Sequence, residues 1–419
     1  MSDLKELIRQ ANETAVNKMK NAQPYWVDIK PAYEVLGIDK YTLLHAGPPI
    51  TWEEMCGPMR GAIVAVLKYE GLAENDEEAL ALAGSDKIKY EPCHHHNAVG
   101  PMTGLTSYSM PMICVLNKEN GKYAYTTINE GTGKGIRFGS CGKDTVDQLV
   151  WLEKVLAPAL KDTVHAMGGI NLKMIISQAL AMGDELHMRN NAATNLFVKT
   201  IAETLCEVVE NRTALTQIMH FLTWNNDQFF LNFAMAANKA CADAAHGIEY
   251  STMVTAMARN GVNIGIRVSG LGDRWFTAPA AEVAGAYFPG FTAEDANKDI
   301  GDSAIMETGG IGGMAIATAP AIVRFLGAGR YQDAVNYTNN MYEITLSEQD
   351  QYAMPDMDFR GSPIGIDILK VVETSIAPII NTAIACKRPG VGMVGAGISK
   401  APLSMFEEAL VAFGEAHGL

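Results

Sequence analysis

The chain has 419 residues and a formal net charge of −14 at pH 7, from 47 acidic and 33 basic side chains. An acidic chain without a lysine and arginine run offers no surface for phosphodiesters, so we exclude general nucleic-acid binding. Hydrophobic residues make up 48% and charged residues 19%, which is typical of a globular protein and excludes a disordered one. The length excludes a single small binding module.

The cysteines and the N-terminal segment indicate a cytoplasmic protein. Seven cysteines occur without a CxxC pair, which is typical of a reducing compartment. The first 21 residues carry charges throughout, unlike a secretory signal. Every long apolar segment is interrupted by a charge, a glycine or a proline, so we expect no membrane contact.

The first third of the chain mixes helical and extended patterns. Apolar residues spaced three and four apart predict an amphipathic helix over 2–21, and we interpret 1–22 as a helical arm. Asn120-Gly121 predicts a hairpin turn that follows a strand over 110–117. We therefore predict an α+β domain over 23–143.

The rest of the chain changes from helical to mixed patterns. Residues 144–250 have apolar positions at helical spacing and are predicted to form a helical domain. From residue 252 strand and turn signals return, and 251–419 are predicted to form a glycine-rich α+β domain. The predicted helices of the middle region cover 146–160, 172–186, 194–209, 215–221 and 229–245. The expected fold is thus a multidomain α+β protein, with two mixed α/β regions flanking a mostly helical one and a ligand cleft where they meet.

Three consecutive histidines follow Cys93. If the segment is extended, Cys93 and His95 point to one face, and His94 and His96 to the other. A neutral imidazole can ligate a metal or polarise a carbonyl group, so His94, His95 and His96 are candidate catalytic residues. We assign no metal or cofactor, because a second ligand motif is missing. The alternative is a turn in which the histidines cap backbone groups.

A second candidate cluster lies in the segment 182–191. On a helix, Asp184, His187 and Asn191 would share one stripe. A carboxylate that orients an imidazole is how proteins hold a general base, so Asp184 and His187 are candidate catalytic residues. The alternative is a solvated helix face with ordinary ion pairs.

The segment 255–275 contains three arginines and several glycines. Guanidinium groups and unhindered backbone N–H groups suit a carboxylate or a phosphate. The candidate anion-binding residues are Arg60, Arg259, Asn260, Arg267, Ser269, Gly270, Gly272, Arg274 and Asp302. The alternative is structural pairing of the arginines with Asp273.

Two glycine-rich segments complete the candidates. One follows the candidate acid Glu307 and precedes a predicted helix over 314–325, whose N-terminus could bind an anion. The other, 129–135, lacks the Walker spacing, and no Rossmann fingerprint follows a strand. We therefore predict neither ATP nor NAD binding.

Motifs from about residue 25 to residue 410 resemble the YlbE/AllG-like family. They include LHAGPPI at 44–50, MCGPMRG at 55–61, PCHHH at 92–96, MGDE at 182–185, TAMARNG at 255–261, RVSGLGDRWFTAP at 267–279, DIGDSA at 299–304 and DFRG at 358–361. The resemblance implies a subunit of oxamate carbamoyltransferase, which converts oxalurate and phosphate into oxamate and carbamoyl phosphate in anaerobic allantoin breakdown. It also implies two partners, an FdrA-like subunit and a third small subunit. The phosphate motif of ordinary carbamoyltransferases, Ser-x-Arg-Thr, is missing, so their mechanism is not implied.

Three functions therefore remain open. The first is a carbamoyltransferase subunit that binds oxalurate, oxamate or phosphate. The second is a non-catalytic scaffold or metabolite-binding subunit of an FdrA-like complex, and the third is a metal-dependent enzyme built around the histidines. In isolation we expect a homo-oligomer. The common expectation is that the histidine and arginine loops converge on one pocket for a small anion.

Overall fold

The computed structural model describes residues 2–131, 135–327 and 329–418. Its α-helices are α1 (Ser2–Asn21), α2 (Ala32–Val35), α3 (Gly57–Tyr69), α4 (Asp76–Ala83), α5 (Lys143–Trp151), α6 (Ala157–Met167), α7 (Leu172–Ala181), α8 (Asn191–Val208), α9 (Arg212–Trp224), α10 (Phe229–Ala244), α11 (Ile305–Thr308), α12 (Pro320–Phe325), α13 (Tyr331–Glu343), α14 (Ile368–Thr374) and α15 (Leu403–Ala416). A π-helical segment, Leu152–Leu156, joins α5 to α6. Its strands are β1 (Pro24–Pro31), β2 (Thr42–His45), β3 (Lys89–Pro92), β4 (Ala98–Val99), β5 (Pro111–Asn117), β6 (Lys122–Thr127), β7 (Ile170–Asn171), β8 (Val254–Asn260), β9 (Asn263–Val268), β10 (Phe276–Pro279), β11 (Ala284–Tyr287), β12 (Ile300–Gly301), β13 (Thr345–Met354), β14 (Arg360–Ile366), β15 (Ile379–Ala385) and β16 (Met393–Lys400).

A five-stranded sheet in the order β4-β6-β5-β1-β7 organises the first half of the molecule. Strands β5 and β6 form an antiparallel hairpin, and the short β4 adds to its edge in parallel. Helices α6 and α10 pack on this sheet. Trp26 of β1 is buried against Phe197 and Phe233, with ring centroids 5.6 and 5.0 Å apart. The middle helices therefore share one core with the first sheet.

The second half contains a four-stranded antiparallel sheet in the order β10-β9-β8-β12. A three-stranded sheet, β11-β16-β15, and the β13-β14 hairpin lie beside it. Their apolar side chains form a second core with α13, α14 and α15. The first core nevertheless extends from Ala15 to Ala385, so side chains from all parts of the chain meet in it.

The structure confirms the α+β fold class, the N-terminal helix and the hairpin turn at Asn120-Gly121. The domain boundaries at residues 22, 143 and 250 stay a prediction. Each predicted middle helix is present, but the first continues to Met167 with a π-helical segment inside it, and the second ends at Ala181 rather than at residue 186. No helix among the described residues is long and apolar enough to cross a membrane.

Two local predictions were wrong, and one open alternative is decided. Cys93–His96 forms the turn that the sequence allowed as the alternative to an extended segment, in 3-10 form, and it ends at Asn97 in the left-handed conformation. The segment 182–190 is irregular rather than helical, since Gly183 and Leu186 both have positive φ. The predicted helix over 314–325 is a kinked 3-10 segment, Gly312–Thr318, followed by α12. In each case a glycine, a proline or a left-handed residue interrupts the expected regular element.

Candidate functional site

A cavity of about 680 Å³ lies between the β5-β6 hairpin, the histidine turn, the end of α10 and the loop that follows β9. Its lining is unusually rich in charged and imidazole groups. The lining residues are Val35, His94, His95, Asn97, Lys122, Tyr123, Tyr125, Lys239, Asp243, His246, Arg267 and Asp273. Elements from all three predicted regions thus contribute to one pocket, as expected for the histidine and arginine loops.

Arg267 of β9 supplies the guanidinium group of the pocket. The residue is 5% exposed, and it donates a hydrogen bond from Nη2 to His246 Nε2 at 3.1 Å. The carboxylate of Asp273 contacts the same Nη2 from the pocket rim. The Nε–H is buried and has no hydrogen-bond partner within the described parts of the chain. Arg267 therefore keeps a donor that a ligand could satisfy.

Lys239 of α10 is the second buried cation. It is 1% exposed, and its Nζ donates to Asp243 Oδ1 at 2.7 Å. Burial lowers the pKa of Lys239, while Asp243 acts in the opposite direction. The ion pair compensates part of the desolvation cost of this buried ammonium group.

His94 forms the buried inner part of the pocket. It is 2% exposed, and among the described residues neither ring nitrogen has a hydrogen-bond partner. The carboxylate oxygen Oδ1 of Asp302 lies 3.7 Å from Nε2, too far for a hydrogen bond. Burial first, and then the charges of Lys239 and Arg267, lower the pKa of His94 well below its usual value. His94 is thus a neutral imidazole with unused hydrogen-bonding capacity.

His95 is held by a tryptophan at the pocket rim. Trp275 Nε1–H donates to His95 Nε2 at 2.8 Å, so the proton of the neutral ring lies on Nδ1. Burial and the charge of Arg267 lower the pKa of His95. The Trp275 ring also contacts His94 edge to face, with centroids 5.6 Å apart. One aromatic side chain therefore orients both imidazoles of the pocket.

Asp302 lies behind His94, in the interior. Its two oxygens accept the backbone N–H groups of Gly47 at 2.8 Å and Gly100 at 3.0 Å. Burial raises the pKa of this carboxyl group to about 7. Asp302 therefore contacts protein groups, and it lies next to the pocket residue His94.

His96 and several predicted anion-binding residues point elsewhere. His96 donates from Nδ1 to the Leu36 carbonyl at 2.8 Å, and its Nε2 bonds Glu91 at 2.6 Å. Arg274 is exposed and lies 3.4 Å from Glu408. Arg60 donates to the Glu53 carbonyl at 2.8 Å. These three side chains are already engaged outside the pocket.

Arg259 and its neighbour Asn260 belong to the interior. Arg259 is fully buried, donates to Asp299 at 2.9 Å and also bonds the Gly301 carbonyl at 2.6 Å. Asn260 donates to the Pro48 carbonyl at 2.9 Å. The structure brings neither residue to the pocket.

The Ser269-Gly270-Leu271-Gly272 segment does not present the expected row of free donors. The Ser269 hydroxyl donates to the Ala245 carbonyl at 2.6 Å, and the Gly270 N–H donates to the Ser251 carbonyl at 2.8 Å. Gly272 is exposed, with φ +61°, and begins the rim loop that carries Asp273 and Trp275. The segment therefore turns the chain toward the pocket rather than binding an anion through its backbone.

The partner of His187 is Glu307 and not Asp184. His187 Nδ1 lies 2.8 and 3.0 Å from the two oxygens of Glu307. Asp184 instead accepts from Arg189 Nε and from the Ala193 N–H, both at 2.9 Å. This cluster borders a second cavity of only about 20 Å³, which is room for one water molecule.

Glu307 also explains the glycine-rich segment that follows it. Its Oε1 accepts the N–H groups of Gly313 at 2.8 Å and Asn381 at 3.2 Å. A Cβ at Gly312 would collide with the same oxygen. The predicted anion at this site is therefore the protein's own carboxylate, and the glycines allow it to approach.

Sequence reasoning missed Lys239, Asp243 and His246. Lys239 and Asp243 are spaced four apart on one face of the mostly apolar α10, and His246 follows just after the end of that helix. Charged residues inside an apolar helix are rarely buried without a partner or a ligand, and this signal was available. Lys122, Tyr123 and Tyr125 of β6 gave no comparable signal.

No group of three or more histidine, cysteine, aspartate or glutamate side chains among the described residues could hold a metal ion. Three residues of the second glycine-rich segment, Thr132, Gly133 and Lys134, lie outside the described residues.

Comparisons with known proteins agree across the whole chain. The family model described as "Oxamate carbamoyltransferase subunit AllG" matches residues 88–303. The AllG subunit of oxamate carbamoyltransferase from Escherichia coli K12 is 46% identical over 98% of this chain and 99% of its own. The uncharacterized protein YahG from the same organism is 45% identical over 100% of this chain and 88% of its own. A crystal structure of a conserved protein of unknown function from Enterococcus faecalis V583 superimposes with a TM-score of 0.96 at 46% identity, covering 98% and 99% of the two chains.

Proposed function

The chain belongs to the family of the oxamate carbamoyltransferase subunit AllG, and from this premise we propose that it is a carbamoyltransferase subunit whose pocket holds oxalurate or oxamate. One observation carries the proposal: Arg267 and Lys239 share a cavity with the imidazoles of His94 and His95. Guanidinium and ammonium groups attract a carboxylate, and neutral imidazoles can hydrogen-bond an amide.

The groups of the pocket suit the two ends of such a substrate. The carboxylate lies at Arg267, where the free Nε–H and an Nη–H can bind it. The carbamoyl carbonyl lies at His94 and His95, where the Nδ1–H of His95 can donate to its oxygen. A phosphate oxygen attacks the carbamoyl carbon, the bond from that carbon to the oxamate nitrogen breaks, and the nitrogen takes a proton. A carbonyl held by hydrogen-bond donors stabilises the charge that develops on its oxygen.

The size of the pocket supports a reaction between two molecules. A cavity of about 680 Å³ is much larger than one small oxyanion. It can hold phosphate beside the organic substrate, and transfer requires both in contact. In this proposal the protein acts in the cytoplasm together with an FdrA-like subunit and a third small subunit.

Calorimetry with oxamate, oxalurate and phosphate on the isolated chain tests the proposal. We expect oxamate to bind the unaltered protein, and Arg267→Leu to weaken binding at least tenfold, because a charge-assisted hydrogen bond is lost. Arg274→Leu is the matched control, since the same change removes an exposed arginine that bonds Glu408 outside the pocket. Heat of binding that is missing for all three ligands, or that survives equally in both variants, would contradict the proposal.

The reconstituted complex separates a catalytic subunit from a scaffold. We expect oxalurate-dependent formation of carbamoyl phosphate with the unaltered chain and its loss with Arg267→Leu. A scaffold would retain this activity in the variant, provided that the three subunits still assemble on size-exclusion chromatography.

A further inference from the structure

Two cations of the pocket already form ion pairs with carboxylates of the protein, but the two carboxylates differ in their exposure to solvent. Asp243 pairs with Lys239 on the same helix, and its side chain is 22% exposed. Asp273 pairs with Arg267 from the rim loop, and its side chain is 85% exposed. Only the second carboxylate can leave for solvent at little desolvation cost.

The backbone around Asp273 allows this movement. The preceding Gly272 has φ +61°, and a Cβ placed there would meet no atom within 4 Å. The loop therefore has open space beside a residue that is free of side-chain constraints. His246 Nε2 lies 3.4 Å from Asp273 Oδ1 but accepts its hydrogen bond from Arg267, and Nδ1 bonds Thr255, so His246 loses no hydrogen bond when Asp273 leaves.

The charges of the lining define what the pocket can accept. Three cations, Lys122, Lys239 and Arg267, face the two carboxylates, so the lining has one net positive charge while the imidazoles are neutral. A ligand with a single carboxylate can replace Asp273 on Arg267 without changing the charge at that guanidinium group. A dicarboxylate that replaces Asp273 on Arg267 adds a second negative charge next to Asp243, which opposes its binding.

We propose that Asp273 occupies the place of the substrate carboxylate on Arg267, and that it sets the preference of this position for a carboxylate with an uncharged amide end over a dicarboxylate. This inference rests on the proposed function and adds a specificity-determining residue to it. Asp273 competes with every carboxylate for Arg267, and its retained charge at the rim repels a dicarboxylate most.

Calorimetry on Asp273→Asn tests the inference with oxamate as the monoanion and oxalate as the dianion. Asparagine has nearly the same shape and the position is exposed, so the fold is retained. We expect Asp273→Asn to tighten oxamate binding about tenfold and oxalate binding by a larger factor, because the competing charge is removed. The monoanion preference therefore falls in this variant.

Asp350→Asn is the matched control. Asp350 is also exposed, at 83%, and it forms an ion pair with Lys20 at 3.2 Å, outside the pocket. We expect both affinities to match those of the unaltered protein. If the unaltered chain binds oxamate and Asp273→Asn binds both ligands no more tightly, the inference is overturned while the proposed function stands. If neither protein binds either ligand, the proposed function fails with it.

Discussion

The pocket around Arg267 and the buried cluster around His187 contain the same kinds of groups, yet they differ in how those groups are satisfied. In the cluster, Glu307 accepts from His187 and from two backbone N–H groups. Glu185 accepts the N–H groups of Met188 and Arg189, both at 2.6 Å. In the pocket, His94 and the Arg267 Nε–H have no partner within the described ranges.

Among the described residues the amide oxygens of Asn190 and Asn381 in the cluster and Arg259 Nε in the interior also lack a partner, so missing partners indicate function only where a cavity adjoins them. A buried polar group with all its hydrogen-bond partners stabilises the fold. A buried polar group without a partner destabilises the fold unless a ligand or a water molecule bonds it. The cavities agree with this distinction, with about 680 Å³ at the pocket and about 20 Å³ at the cluster. Changes in the cluster should therefore affect stability, and changes in the pocket should affect binding.

The largest effect is expected at the cluster. Glu307→Ala leaves His187 and two backbone N–H groups unpartnered in the interior, so we expect a loss of about 3–5 kcal/mol in the free energy of unfolding. Urea denaturation followed by circular dichroism measures this loss. If the variant were as stable as the unaltered protein, the cluster would not stabilise the fold, and its contrast with the pocket would be wrong.

Lys239→Met should lower both the stability of the protein and its affinity for oxamate. Methionine fills the space of the buried stem but leaves Asp243 without its cation, so we expect a loss of about 1–2 kcal/mol in stability. The pocket also loses a positive charge, and oxamate affinity should fall at least tenfold in calorimetry. Unchanged affinity would exclude Lys239 from ligand binding.

The pH dependence of stability provides a third test. Burial raises the pKa of Asp302 to about 7, so the folded carboxyl group binds a proton before the unfolded one as the pH falls below 7, and acidification adds stability. Burial lowers the pKa of His45 and of His246 to about 4, so acidification below pH 6.5 removes stability at these two residues. The two contributions oppose each other in the unaltered protein.

Asp302→Asn removes the stability that the protein gains at Asp302 on acidification. The loss of stability at His45 and His246 remains. We expect this variant to lose about 1–2 kcal/mol more than the unaltered protein between pH 7 and pH 5. Urea unfolding at pH 7 and at pH 5 gives the change in the free energy of unfolding for each protein, so a pH-independent cost of the substitution cancels. The same change in both proteins would contradict the raised pKa of Asp302.

The smallest effect is expected at His96. Its two ring nitrogens bond Leu36 and Glu91 outside the pocket, so His96→Gln should cost about 1 kcal/mol of stability and leave oxamate affinity unchanged. His94→Gln should weaken oxamate binding under the same conditions. If the two variants behaved alike in calorimetry, the histidine run would act as a unit, and the distinction between its members would be wrong.

The sequence was sufficient for periodic elements and for the types of group at the site. Helix α1 and the β5-β6 hairpin depend on local periodicity and turn chemistry, so they were predictable. The partner of His187 was not, because Glu307 is 120 residues away along the chain. Helical spacing pointed to Asp184 instead, and Gly183 and Leu186, both at positive φ, prevent that helix.

The role of each arginine could not be predicted from local sequence either. Arg259 and Arg267 are eight residues apart, on adjacent strands β8 and β9, yet one bonds Asp299 in the interior and the other lines the pocket. Local sequence gives both the same chemistry, and only their tertiary surroundings decide which guanidinium group is available. Lys239 and His246 reach the pocket because α10 packs beside the β6 strand.

A crystal structure of the chain with oxamate decides whether this pocket binds the substrate. We expect density in the large pocket, with the carboxylate within hydrogen-bond distance of the Arg267 guanidinium group and the amide facing His94. Oxamate density elsewhere on the molecule, with none at Arg267, would show that this pocket is not the substrate site.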